Sequence, residues 1–181
     1  MNIKETHLKG CYVITPRVFK DERGYFLETF NQKTFSVATG IHTNFVQDNL
    51  SNSSKGVLRG LHFQKGTSAQ AKLVQVLKGK VLDVCVDIRK DSPTFGQHFS
   101  IVLDPINKKQ LYVPRGFAHG FVALENDTIF SYKCDNYYDK SSESGIIYND
   151  TTVNINWGIP EDEMIISEKD LDLETFENLF D

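Results

Sequence analysis

Between residues 44 and 134 the chain is a series of short apolar stretches, each cut off within a few residues by glycine, proline, asparagine or aspartate. Residues 57–64, 71–77, 81–88, 97–103, 110–113, 119–124 and 128–133 alternate or run apolar, and they are rich in β-branched and aromatic side chains. The breakers between them include Lys78-Gly79-Lys80, Asp104-Pro105-Ile106-Asn107, Pro114-Arg115-Gly116 and Glu125-Asn126-Asp127. Many short strands at close spacing, with almost no long helical pattern, predict an all-β sandwich or barrel. The three-residue breakers at 78–80 and 125–127 predict antiparallel hairpins. Further strands are expected at 12–14, at 25–30 after the turn Asp21-Glu22-Arg23-Gly24, and at 44–49, with 51–56 as a polar loop. Helical spacing is confined to 31–38 and to 172–180, where Leu173, Phe176, Leu179 and Phe180 recur on one face of a short helix expected on the outside.

At 181 residues the chain is expected to form one domain, 1–181, with a real core. A net charge of −4 and the lack of any basic run argue against nucleic acid as a partner. No apolar run reaches membrane-spanning length, and the first residues lack the apolar core of a signal peptide. Cys11, Cys85 and Cys134 are far apart and odd in number, which suggests neither a zinc site nor a disulfide framework. A reducing, cytoplasmic setting is the expectation.

The stretch 57–64 carries Arg59, His62 and Gln64 in a strand that otherwise reads as buried. Polar groups are costly to bury unless something pairs with them, so this strand is expected to line a cavity. Arg59 and His62 have opposite parity, and a regular strand cannot aim both inward. Gly60 lies between them, where a bulge or twist could re-aim one. Phe26, Glu28 and Phe30 would share one face of the strand at 25–30. Lys72 lies on the Val74 and Val76 face and either snorkels outward or enters the cavity. Asp83, on the Cys85 face, is expected to pair with Lys72 or Lys80. Tyr132 reads by default as a core aromatic, and functionally as an acid in a dry site. Asp170, in Ser167-Glu168-Lys169-Asp170, reads on local grounds as part of a helix-capping box.

Pro114-Arg115-Gly116-Phe117-Ala118-His119 resembles the second motif of the cupins, whose fold is a double-stranded β-helix jelly roll. The first cupin motif would fall at His62-Phe63-Gln64, where glutamine replaces the second histidine of a metal-binding member, and residues 65–72 hold no acidic residue. Two histidines fall short of the three protein ligands that a catalytic metal usually needs, so the expectation is a cupin barrel without its metal.

Six blocks in order resemble the dTDP-4-dehydrorhamnose 3,5-epimerase family: Leu58-Arg59-Gly60-Leu61-His62-Phe63-Gln64, Ala69-Gln70-Ala71-Lys72-Leu73-Val74, Val86-Asp87-Ile88-Arg89, Ser92-Pro93-Thr94-Phe95-Gly96, Val113-Pro114-Arg115-Gly116-Phe117-Ala118-His119-Gly120-Phe121 and Ser167-Glu168-Lys169-Asp170. The resemblance implies a homodimer that needs neither metal nor cofactor. It also implies epimerisation of dTDP-4-dehydro-6-deoxy-D-glucose at C3 and C5 to dTDP-4-dehydro-L-rhamnose, on the route to dTDP-L-rhamnose. By the same resemblance His62 is the general base, Asp170 orients it, Tyr132 is the acid and Lys72 supports the enolate. Arg23, Phe26, Glu28, Gln47, Asp48, Asn49, Arg59, Lys72, His119, Glu143 and Lys169 would bind the nucleotide sugar, with Tyr138 stacked on thymine. Tyr148 stands where the family often has Trp. A relative inverting C3 alone, a metal-dependent cupin oxygenase and a sugar-binding cupin without catalysis are the alternatives.

Overall fold

The computed structural model describes residues 1–180; the last residue of the expected domain lies outside the described residues. The strands, in chain order, are Asn2–Glu5 (β1), Tyr12–Thr15 (β2), Val18–Asp21 (β3), Gly24–Leu27 (β4), Gln47–Ser53 (β5), Val57–Gln64 (β6), Lys72–Lys78 (β7), Val81–Asp87 (β8), His98–Leu103 (β9), Gln110–Val113 (β10), Phe117–Ala123 (β11), Thr128–Cys134 (β12), Glu143–Gly145 (β13) and Ile165–Ile166 (β14). Three short helices, Gln32–Thr39 (α1), Glu168–Leu171 (α2) and Phe176–Phe180 (α3), lie around them.

The strands form two facing sheets, β1-β2-β10-β7-β12-β5 and β13-β6-β11-β8-β9, with β14 parallel to β6. From β5 to β8 and again from β9 to β13, successive strands alternate between the two sheets. That alternation is the cupin-type jelly roll. It corrects both expected hairpins. The 78–80 turn joins β7 in one sheet to β8 in the other, and the 125–127 turn joins β11 to β12 in the same way. Each turn is a corner between layers. Gly79, at φ +78°, sits against Thr128, where a Cβ would come within 2.3 Å of the threonine Oγ1, and this packs the two corners together.

Three apolar layers follow. Val74, Val76, Leu111, Phe121 and Phe130 fill the space between the sheets, with Phe121 and Phe130 stacked at 4.2 Å. The outer face of the β6-β11-β8 sheet is covered by the C-terminal segments through Trp157, Phe176 and Phe180. Phe35 of α1 covers the outer face of the other sheet with Ile14 and Tyr112. Because its sheet is covered on both sides, β11 is buried at every residue, as expected of a strand with two apolar faces.

Three boundaries differ from the sequence pattern. The amide-rich strand is β5, running to Ser53, so the polar loop shrinks to 54–56. The strand expected at 25–30 ends at Leu27, because β4 pairs only with β3 and has no second neighbour to carry it on. Glu28 therefore leaves the strand, and Phe30 turns to pack on Phe35 and Phe45 while Phe26 stays 68% exposed. The C-terminal helix contracts to α3, since Glu174 bridges to Ile146 just before it. No described helix is long and apolar enough to cross a membrane.

Candidate active site

The focal strand β6 has the predicted bounds, and the predicted irregularity sits where Gly60 is. Opposite β6, His119 pairs with His62 but Phe121 pairs with Arg59, so Gly60 and Leu61 of β6 together answer the single Gly120 of β11. This bulge reverses the parity between Arg59 and His62, and both side chains enter one cavity. Gly60 is at φ +118°, and a Cβ there would meet Gly120 Cα at 2.6 Å. A Cβ on Gly120 would meet the Arg59 carbonyl at 2.7 Å. The two glycines let the strands close on each other at the bulge.

The cavity lies between the sheets, measures about 400 Å³ and is lined by Asn49, Arg59, His62, Lys72, His119, Phe130, Tyr132, Lys169 and Asp170 among others. A recess of about 100 Å³ continues from it and adds Gln47, Tyr138, Glu143 and Cys134, sharing Asn49, His62, Lys72 and Tyr132 with the larger part. The two sheets contribute differently. His62, Arg59 and His119 come from the β6-β11 side. Lys72 and Tyr132 come from β7 and β12 of the other sheet, with Asn49 directly opposite Tyr132 on β5.

His62 Nε2 lies 2.7 Å from Asp170 Oδ1, while the Gly60 N–H donates to Asp170 Oδ2 at 3.3 Å. Burial alone would raise the Asp170 carboxyl, but the hydrogen bond and charge of His62 outweigh it and hold the group below its ordinary value. A carboxylate only accepts, so His62 must donate through Nε2, and Nδ1 is the ring nitrogen left with a lone pair. Ser167 caps α2 through its side chain, accepting the Asp170 N–H at 3.2 Å. The capping reading therefore holds for the backbone, and it leaves the Asp170 carboxylate free to reach His62.

Facing this dyad are two groups without protein partners among the described residues. The Lys72 ammonium forms no hydrogen bond or ion pair among the described residues; burial pushes it below its ordinary value, partly countered by Cys134, Asp83 and Glu143. The Tyr132 hydroxyl is likewise unpaired, and burial with the nearby Cys134 raises it, opposed by Arg59. It remains a protonated donor at neutral pH. Cys134 beside them is itself pushed up to about 11, mainly by burial.

In the recess Tyr138 Oη donates to Glu143 Oε2 at 2.8 Å, and the Lys169 ammonium donates to the same oxygen. Burial would raise Glu143, but these two donors outweigh it and hold it low. Gln47 Oε1 accepts the Tyr138 backbone N–H at 3.0 Å, and Gln47 Nε2 donates to Asn49 at 3.1 Å. Gln64, at the position of a metal cupin's second histidine, is buried and accepts the Asp139 N–H at 2.9 Å, pinning the loop that carries Tyr138.

Four expected site residues are not brought to this cavity. Asp48 alternates away from Gln47 and Asn49 on β5 and pairs outside with Lys133 at 2.9 Å. Arg23, Phe26 and Glu28 lie on or just after the β3–β4 arm; Arg23 pairs with Asp21, and Phe26 lines a separate groove with Tyr25, Leu77 and Pro105. Asp83 does not pair as expected either. It binds His119 Nε2, at 2.9 and 3.1 Å through its two oxygens, whereas Lys80 pairs with Glu125. The signal for that contact was present in the inward parity of Asp83 beside Cys85. Tyr148 is buried in the same apolar layer as Trp157, whose Nε1 donates to the Tyr148 backbone carbonyl at 2.8 Å.

The sequence model of the dTDP-4-dehydrorhamnose 3,5-epimerases matches residues 5–178. The chain belongs to the dTDP-4-dehydrorhamnose 3,5-epimerase family. Within this family, a crystal structure of the Elizabethkingia anophelis NUHP1 enzyme superposes at a TM-score of 0.97 with 55% identity, covering 100% of this chain and 99% of that one. The Legionella pneumophila Philadelphia 1 dTDP-6-deoxy-D-glucose-3,5-epimerase, in complex with dTDP-4-keto-L-rhamnose, superposes at 0.93 with 46% identity over 99% of this chain and 94% of that one. The Shigella flexneri dTDP-4-dehydrorhamnose 3,5-epimerase is 48% identical over 97% of this chain and 96% of its own length. Membership of this family makes the protein an isomerase.

Proposed function

We propose that the enzyme inverts C3 and C5 of dTDP-4-dehydro-6-deoxy-D-glucose, giving dTDP-4-dehydro-L-rhamnose for dTDP-L-rhamnose synthesis. The observation that carries this reading is one cleft in which a His62–Asp170 dyad on one sheet faces an unpaired lysine and an unpaired phenol on the other. A ketone at C4 acidifies the protons on C3 and C5. His62 Nδ1 takes such a proton, and the negative charge moves to O4. Lys72 holds that charge, in a site where it is worth far more than in water. Tyr132 returns a proton from the opposite side, which inverts the carbon, and solvent resets both groups. Two rounds invert two centres with no redox step.

Arg59 and Lys169 are the cations available to the diphosphate, with Arg59 able to bind it through two parallel N–H groups. The recess with Gln47, Asn49, Tyr138 and Glu143 suits the nucleoside, with Tyr138 as its stacking ring. Arg23, Phe26 and Glu28 stand outside the chain's own cleft, on an arm whose Phe19, Tyr25 and Phe26 are about half exposed or more. This arrangement supports a homodimer in which the arm of one protomer completes the cleft of its partner. The cytoplasm, where nucleotide sugars are made, is the setting that fits.

Incubation with the dTDP-4-dehydro sugar in deuterated water tests the reading. Deuterium at both C3 and C5 of the product is expected. Label at C3 alone would reduce the reading to single epimerisation, and no exchange with His62 intact would overturn it.

A further inference from the structure

The cleft holds a second histidine–carboxylate pair that the proposed chemistry does not use. Asp83 is fully buried on β8, and its two oxygens lie 2.9 and 3.1 Å from His119 Nε2. His119 is the β11 residue directly opposite His62 on β6, so the two dyads are neighbours across one pair of strands. The other face of the imidazole is covered by Phe130, near parallel to it at 6.2 Å. With its edge held by a carboxylate and its face by a ring, His119 has one orientation. Lys72 lines the same cavity as His119 from the opposite sheet, and after burial the opposite charges of Lys72 and Asp83 act on each other.

An unpaired ammonium in a partly buried cleft is costly unless a counter-charge lies within reach. Five ionisable groups face this corner: His119 and Lys72 beside Asp83, Cys85 behind it, and Cys134 and Glu143 across from Lys72. The Cys11 thiol against it, then burial, push the Cys85 thiol up, burial pushes the Cys134 thiol up, and Glu143 is already taken by Tyr138 and Lys169. Asp83 is the carboxylate left to serve Lys72. Burial raises its carboxyl, and His119 and Lys72 pull it back.

We propose that Asp83 is a positioning residue for the enolate-holding wall of the cleft: it fixes the His119 ring through both oxygens and supplies the negative charge against which the Lys72 ammonium is held. The proposal deepens the epimerase reading and rests on it for its catalytic consequence. The substrate's O4 then meets a wall whose cation is set before binding, with no reorganisation at the moment of proton removal.

The test is Asp83→Asn, which keeps the shape and removes the charge. In protein labelled with ¹⁵N-lysine, the Lys72 signal is assigned by its loss in Lys72→Met and followed through a pH titration. In Asp83→Asn its midpoint is expected to fall by about one pH unit or more, the size of a near charge partner's effect. The basic limb of kcat should move down by the same amount. An unmoved Lys72 midpoint overturns the proposal, even if activity falls, because it reduces Asp83 to a packing role. Should the variant not fold, histidine ¹⁵N shifts of the wild-type protein decide: a proton on His119 Nε2 throughout is expected, and a neutral ring protonated only on Nδ1 overturns it. Failure of the epimerase reading looks different, as an inactive wild-type enzyme with both signatures intact.

Discussion

Replacing Asp170 by asparagine isolates what the His62 dyad contributes. The carboxylate now accepts from two donors, His62 Nε2 at 2.7 Å and the Gly60 N–H at 3.3 Å. An asparagine offers one acceptor. If its oxygen stays on Gly60, the amide donates toward His62, and the ring must present a lone pair at Nε2 and move its proton to Nδ1, the atom assigned as base. If the amide flips, two donors meet at Gly60. Either way a charge-assisted hydrogen bond is lost, worth about 1.5–3 kcal/mol. At about 1.4 kcal/mol per factor of ten, kcat should fall roughly 10- to 150-fold. KM should change little, because Asp170 is almost wholly buried behind His62. The assay is the initial rate of deuterium incorporation at C3 under saturating substrate, followed by NMR, with thermal unfolding run beside it. An Asp170→Asn protein that unfolds like wild type and exchanges at the wild-type rate would refute the argument that Asp170 sets the tautomer.

Three further outcomes are expected. Asp87, whose buried carboxylate accepts from Arg89, Ser92 and Thr94, is held down at about 2 by those donors against the opposing effect of burial. Its contribution is complete above the ordinary carboxylate range near 4 and disappears as pH falls through about 2; Asp87→Asn should lower Tm by several degrees at pH 6, and the gap to wild type should close in acid melts. Gly120→Ala, with its Cβ 2.7 Å from the Arg59 carbonyl, should destabilise by about 1–3 kcal/mol in urea titrations, since a backbone and not a flexible side chain must give way. Mixing and refolding inactive Arg23→Ala with inactive His62→Ala should restore roughly a quarter of wild-type activity if arms are exchanged in a two-fold dimer, and none if Arg23 serves its own cleft.

Parity on single strands was readable for Lys72 and Tyr132, which both enter the cleft, and Gly60 marks the bulge that brings Arg59 in beside His62; Gln47 and Asn49, expected only from the resemblance, enter it too. Partnership between strands was not readable. Gly79 and the 125–127 turn have the composition of hairpin loops, yet a jelly roll uses such turns to cross between layers, and nothing local distinguishes the two uses. The same blindness missed the direct hydrogen-bond partner of Asp83, His119, which comes from β11. Asp48 failed for a different reason, because it shares β5 with two true cleft residues but has the opposite parity. Arg23, Phe26 and Glu28 sit where one chain alone gives them no cleft to act in.

The Asp170 carboxylate reaches His62 across 108 residues of sequence, carried by a four-residue helix that follows both sheets in the chain. Everything else in the dyad's surroundings is synthesised before it. In the folded chain the two sheets and the Phe121–Phe130 stack form the barrel without any contribution from the group that orients the base. The group that orients the base thus comes from a short helix outside the two sheets, so a change that loosens that helix costs turnover before it costs the barrel.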